Sequence, residues 1–169
     1  TKNIEHIGGS ITVDSQEGMG TVITIKIPLT LAIIDGMNLQ VGQARYTIPM
    51  NAIKESFRPS ASNIIRDPDG NEMLMVRGNC YPILRLHQLY KIDTGVTELT
   101  DGIIVMVEQE GKISGVFSDA LLGQQQVVVK ALPTYLQRFK RLRSLAGCTL
   151  LGDGSISLIL DAGKLINAC

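Results

Sequence analysis

Few residues in this sequence could do chemistry, and their spacing keeps most of them apart. The two histidines are isolated: His6 lies near the chain start and His87 follows a predicted strand. Neither has an obvious nucleophile or carboxylate partner, so both read as structural rather than catalytic. Cys80, Cys148 and Cys169 are far apart and form no Cys-x-x-Cys pair. That spacing indicates neither a zinc site nor a disulfide framework, and a reducing, cytoplasmic setting is the simplest expectation. No metal site is expected. Gly18-Met19-Gly20 is too short to cradle phosphate and reads as a tight hairpin turn. Asp119, Asp153 and Asp161 fall at predicted turns or caps, where carboxylates are usually structural. Arg138, Lys140, Arg141 and Arg143 surround Phe139, a pattern that can contact nucleic acid. The chain as a whole carries 16 basic and 16 acidic residues, so a solvated loop is expected there and no nucleic-acid partner.

The stretch that stands out is uncharged. Leu121, Leu122 and Gly123 are followed by Gln124, Gln125 and Gln126, then by Val127, Val128, Val129 and Lys130. Branching at Cβ favours an extended chain, so the valines predict a strand. Gly123 marks a bend or bulge near its start. The glutamines carry no catalytic pKa, but they donate and accept hydrogen bonds, as a strand meeting another protein would. An ordinary rim strand has the same composition.

The elements around this stretch are mostly β. Hydrophobic residues make up 44% of the 169 residues and charged ones 19%, which fits a folded domain and not a disordered chain. Thr1 to Ile7 reads as the tail of a helix that runs into Gly8-Gly9, so an excised fragment is expected. Ser10–Ser15 and Thr21–Ile27 alternate around a glycine turn and predict a hairpin ended by Pro28. Leu29 to Ile34 is an apolar connector, and a domain boundary is placed there: residues 1–30 and 31–169. Beyond it, Met37–Val41, Tyr46–Met50, Glu72–Arg77, Cys80–Leu86, Ile103–Glu108 and Ile113–Phe117 predict strands. So do Leu145–Leu151 and Ile156–Leu160, about an Asp153-Gly154 turn. Pro82 suggests an edge or a bulge. Asn51–Ser56 reads as one short helical turn, 58–71 and 91–101 as loops, and Asp161 as the cap of a last helix. Many short strands with glycine turns predict two small antiparallel barrels. No apolar run approaches the length of a membrane-spanning helix, and no membrane insertion is expected.

The residues also resemble a known family. Ile4 through Thr30, with Gly8-Gly9-Ser10-Ile11-Thr12-Val13 through Gly20-Thr21 and then Pro28-Leu29-Thr30, is similar to the final hairpin of a histidine-kinase ATPase domain. Leu29 to Met37, Ile48-Pro49-Met50-Asn51, Arg77-Gly78, Leu122 to Lys130 and Leu151 to Asp161 resemble the chemotaxis histidine kinases of the CheA family, in that family's order. Ala120 departs from the acidic residue usual there, and Ser118 from an apolar one.

The resemblance implies a mainly β fold. Two SH3-like five-stranded barrels, the CheW-like regulatory domain, would follow the end of the ATPase domain. It implies no catalysis by this piece. The phosphoacceptor histidine, the magnesium-holding box and the ATP lid would lie outside it, and ATP and magnesium would belong to the parent kinase. Thr21 would be a residual adenine-pocket position, without function alone. The partners implied are the adaptor CheW, chemoreceptor tips and the ATPase domain of the same chain, at receptor arrays in the cytoplasm. Candidate partner-binding residues are Leu122, Gly123, Gln124, Gln125, Gln126, Arg77 and Gly78. Leu29, Thr30, Leu31 and Ala32 are candidate hinge residues between the domains. A stand-alone adaptor of the CheW type is the alternative.

Overall fold

The structure is a computed structural model that describes residues 10–16, 18, 20–26, 32–132, 136, 139 and 142–167. The chain divides into two units, Thr1–Ala32 and Ile33–Cys169. In the first, β1 (Ser10–Gln16) and β2 (Gly20–Lys26) form an antiparallel hairpin. Its cross-strand pairs Ile11–Ile25 and Val13–Ile23 put apolar side chains opposite one another, and Val13, Ile23 and Ile25 are exposed.

The second unit holds two sheets. β3 (Ile33–Val41), β4 (Ala44–Pro49), β11 (Ala120–Val128), β12 (Leu145–Leu150) and β13 (Ile156–Leu160) make a five-stranded sheet in the order β11-β3-β4-β13-β12. Its two outer strands meet beyond β11, where Lys130 and Cys148 exchange both backbone hydrogen bonds, at 2.8 and 2.9 Å. The other sheet has six strands, not the expected five. They are β5 (Ile53–Phe57), β6 (Ile64–Arg66), β7 (Glu72–Val76), β8 (Asn79–Arg85), β9 (Ile103–Gln109) and β10 (Lys112–Ser118), in the order β5-β9-β10-β8-β7-β6. Among the described residues, two short helices, α1 (Leu86–Tyr90) and α2 (Ala162–Ile166), accompany the sheets. Asp161 caps α2 as expected, its carboxylate accepting from the Lys164 N–H at 3.1 Å.

Several expectations are corrected. The sheets are mixed, because β10–β8 and β13–β4 run parallel. The stretch read as a helical turn is a 3-10 turn, Met50–Ala52, followed by β5. The stretch 58–71 contains β6. Pro82 lies in an internal strand, yet the pairing of β8 with β10 begins at Ile83, so only β7 flanks the proline. A missing N–H is harmless there.

Both sheets are apolar on two faces, and this sets the packing. On β9, Val105 and Val107 join the core between the sheets, while Ile104 and Met106 enter a second cluster with Leu74, Leu99 and Phe117. A strand covered on both sides needs an unbroken apolar run, which Ile103 to Val107 supplies. Leu39, Val41, Tyr46, Ile48 and Leu160 face the same inter-sheet core from the five-stranded sheet. Tyr46 stacks on Tyr90 of α1, with ring centroids 5.0 Å apart. Burial pushes both phenols up, that of Tyr90 to about 12, and the Tyr90 hydroxyl bonds Ser144 Oγ at 2.8 Å.

Candidate functional site: the glutamine strand and its buried support

The glutamine stretch folds as β11, the outermost strand beside β3. Leu122, Gly123, Gln124, Gln125 and Gln126 are all exposed, and Val127 turns back into the interior. The register with β3 slips between Leu121 and Gly123, a bulge, and Gly123 has φ +116°. An L side chain is strained at that φ, which explains glycine at this point. From Gly123 to Gln126 the register then runs unbroken against Asn38 to Asp35.

Gln125 is not a free surface side chain. Its carbonyl accepts from Asn38 Nδ2 at 3.3 Å. Asn38 Oδ1 in turn accepts from the Thr47 hydroxyl at 2.7 Å, and Thr47 shares a second 2.7 Å hydrogen bond with Ser157 Oγ. Asn38, Thr47 and Ser157 are 5%, 0% and 0% exposed, on the adjacent strands β3, β4 and β13. The motif is therefore anchored from beneath by a buried polar ladder. The sequence did not single it out, because Asn38 merely alternates with the apolar Met37 and Leu39 along a predicted strand. The available signal was chemical: Asn38, Thr47 and Ser157 are uncharged and small enough to be satisfied by one another.

Asp119 immediately precedes β11 and acts as a clamp. Its carboxylate accepts from the Gly42 N–H at 2.7 Å and from the Thr94 hydroxyl at 2.5 Å. It thereby ties the β3–β4 turn to the loop after α1.

Arg77 and Gly78 lie on the other sheet, in the β7–β8 turn, with φ of +49° and +82°. Consecutive positive φ values are what a tight hairpin turn requires. The Arg77 guanidinium bonds Glu55 at 3.1 Å and is otherwise highly exposed. The two groups of candidate residues are thus on different sheets. Ala32 is exposed and precedes β3, whereas Leu29, Thr30 and Leu31 lie outside the described residues. Thr21 sits in β2, its hydroxyl 3.0 Å from Ser15 Oγ. His6, Arg138, Lys140 and Arg141 lie outside the described residues, while Phe139 and Arg143 are exposed.

A cluster of charged side chains lies on the six-stranded sheet and borders a cleft of about 1040 Å³. Glu72 accepts from Arg85 through both oxygens, at 2.6 and 3.1 Å, and from Arg66 at 3.2 Å. The Arg85 hydrogen bond, opposed by burial, holds the Glu72 carboxyl below its usual range. Arg85 also lies 5.2 Å over the Phe117 ring. His87 packs edge-on to the same ring, and burial, then the Arg85 charge, lowers its pKa against the pull of Asp119. With both arginines already engaged by Glu72, this cluster reads as an ion-paired wall rather than a reaction centre. Asp153 is held down to about 2 by Ser155 and Arg45, as a turn residue. Among the described residues no group of histidine, cysteine or carboxylate side chains could hold a metal, and no helix is long and apolar enough to cross a membrane.

Residues 35–169 match the family model of the CheW-like domain. The chain is 38% identical over 164 residues to the chemotaxis protein CheA of Klebsiella aerogenes, covering 97% of this chain and 25% of that protein. It is also 38% identical over 165 residues to the sensor histidine kinase CheAY of Helicobacter pylori, covering 98% of this chain and 20% of that one. The chain thus spans a quarter or less of the length of these two relatives. Its fold is shared with the scaffolding protein CheW of Thermoanaerobacter tengcongensis, with a TM-score of 0.64 at 16% identity, over 75% of this chain and 88% of that structure.

Proposed function

The chain belongs to the CheW-like domain family, and from this we propose that it is the regulatory, partner-docking region of a chemotaxis histidine kinase. One observation carries the reading. The family model begins at residue 35, whereas the similarity to CheA covers 97% of the chain and so takes in the β1–β2 hairpin. A stand-alone adaptor of the CheW type has no need of that hairpin. The exposed Val13, Ile23 and Ile25 fit a hairpin that packs into the rest of the ATPase domain to which it would belong.

In this reading the chain does no chemistry of its own. ATP and magnesium belong to the parent kinase, and Thr21 takes no nucleotide by itself. The domain joins the kinase to a CheW adaptor and to chemoreceptor tips, at arrays on the cytoplasmic face of the membrane. It passes receptor state to autophosphorylation through the segment 29–32. The glutamine strand, with Leu122 and Gly123, is the docking surface favoured by its exposure and lack of charge, and the Arg77-Gly78 turn is the second candidate.

The test is size-exclusion chromatography of the chain with its own organism's CheW, followed by calorimetry with Mg-ATP. The expected result is a co-migrating complex and no ATP heat. Saturable ATP binding without a complex overturns the proposal. For the linker, Ala32→Pro in the intact kinase is expected to uncouple receptor control, and unchanged control refutes that role.

A further inference from the structure

We propose that the outer edge of β11, from Ala120 to Gln126, is a strand-addition site that takes an extended, uncharged segment of the docking partner as one more strand of the five-stranded sheet. The inference rests on the docking reading above and specifies the kind of contact made there. Three observations support it.

First, the edge is open over a defined length. Among the described residues β11 has β3 as its one strand neighbour, and β12 is reached beyond it, through the Lys130–Cys148 bridge. The segment before Val127 spans seven residues, about 23 Å at roughly 3.3 Å per residue.

Second, the edge lacks the usual guards. Outer strands are normally protected by charge or proline against pairing with another chain. The outer strands of the six-stranded sheet follow that rule: β5 carries Lys54 and Glu55, each in an ion pair, and β6 ends in Arg66. From Ala120 to Val129 there is neither a charged residue nor a proline. The bulge at Leu122 perturbs the start of the edge, but the register from Gly123 to Gln126 is continuous.

Third, the edge is pre-ordered. Asn38 holds the Gln125 carbonyl from within, which leaves the Gln125 amide N–H groups as donors for an incoming chain. The segment that fits is uncharged, because a charge laid along Leu122 and the glutamines would lose water without gaining a counter-ion.

The test is amide hydrogen exchange by NMR on the full chain, with and without its organism's CheW-type adaptor. Strand addition predicts that every second amide between Ala120 and Gln126, those not bonded to β3, exchanges at least about tenfold more slowly in the complex. Gln124→Lys/Gln126→Lys should weaken binding by about tenfold or more with an unchanged melting temperature, because lysine guards an edge. If Leu122→Glu weakens the complex but no alternating protection appears, docking is through side chains and strand addition is wrong, while the docking reading stands. If the adaptor does not bind at all, the docking reading itself falls. Alternating protection in the chain alone, with a dimer in sedimentation, makes a second copy the occupant and overturns the assignment to a partner.

Discussion

Replacing Thr47 with valine tests the buried ladder that supports the glutamine strand. The side chains are nearly the same shape, so the change removes a hydroxyl without opening a cavity. That hydroxyl makes two hydrogen bonds of 2.7 Å, to Asn38 Oδ1 and to Ser157 Oγ, and Thr47 is wholly buried. Thr47→Val leaves both of those oxygens in the interior without this partner. Each of the two unsatisfied buried polar groups costs about 1–3 kcal/mol, mid-range about 2, and the new methyl returns about 0.8 kcal/mol, so a net loss of about 3 kcal/mol is expected. For a chain of this size that lowers the melting temperature by roughly 6–12 °C. Urea unfolding measures it directly, with an unchanged slope showing that the folded state is still compact. Adding Ser157→Ala to Thr47→Val should cost less than Ser157→Ala alone, by about 1 kcal/mol, because the orphaned oxygen is then removed. A Thr47→Val loss below about 0.5 kcal/mol, or additive effects in the double variant, would show that the ladder contributes nothing and that Gln125 is held by other means.

Gly36→Ala is expected to destabilise by about 1–3 kcal/mol in urea unfolding, because its Cβ would stand 2.3 Å from the Thr47 methyl. Glu72 contributes to acid stability. Its folded pKa lies below the ordinary value, so its contribution is present above about pH 4.3 and is lost as pH falls through the depressed value. Glu72→Gln should therefore be less stable than the parent at pH 7, and the gap should narrow steadily as the pH is lowered below about 4.3. His87 acts in a higher window. Its pKa is lowered by burial and by Arg85, so below about pH 6.5 the unfolded chain takes up the proton first and stability falls. Melting curves of His87→Gln between pH 7 and pH 5 should show a smaller decline than those of the parent.

How far the sequence could be read depends on what each signal reports. β11, the β9–β10 hairpin and the Asp153-Gly154 turn were legible because propensity, turn chemistry and burial agree there. β5 was not. Ile53 and Phe57 are two strand periods apart, but Glu55 occupies the position between them, and a register slip against β9 places it. Its charge is met by Arg77, from a turn more than twenty residues away that no local window includes. The parallel pairs β10–β8 and β13–β4 depend on how distant segments return, so alternation predicted an antiparallel design that the chain does not have. The same limit hid the support of the candidate site. The glutamines were visible because three together on a β-branched strand are unusual. The residues that hold them, Asn38, Thr47 and Ser157, look like ordinary solvent-facing positions until the sheet brings three strands side by side. In a strand covered on both faces, the polar half of an alternating pattern does not identify the wet side. It can mark a second interior where small uncharged groups satisfy one another, and here that interior ends at the strand proposed to dock.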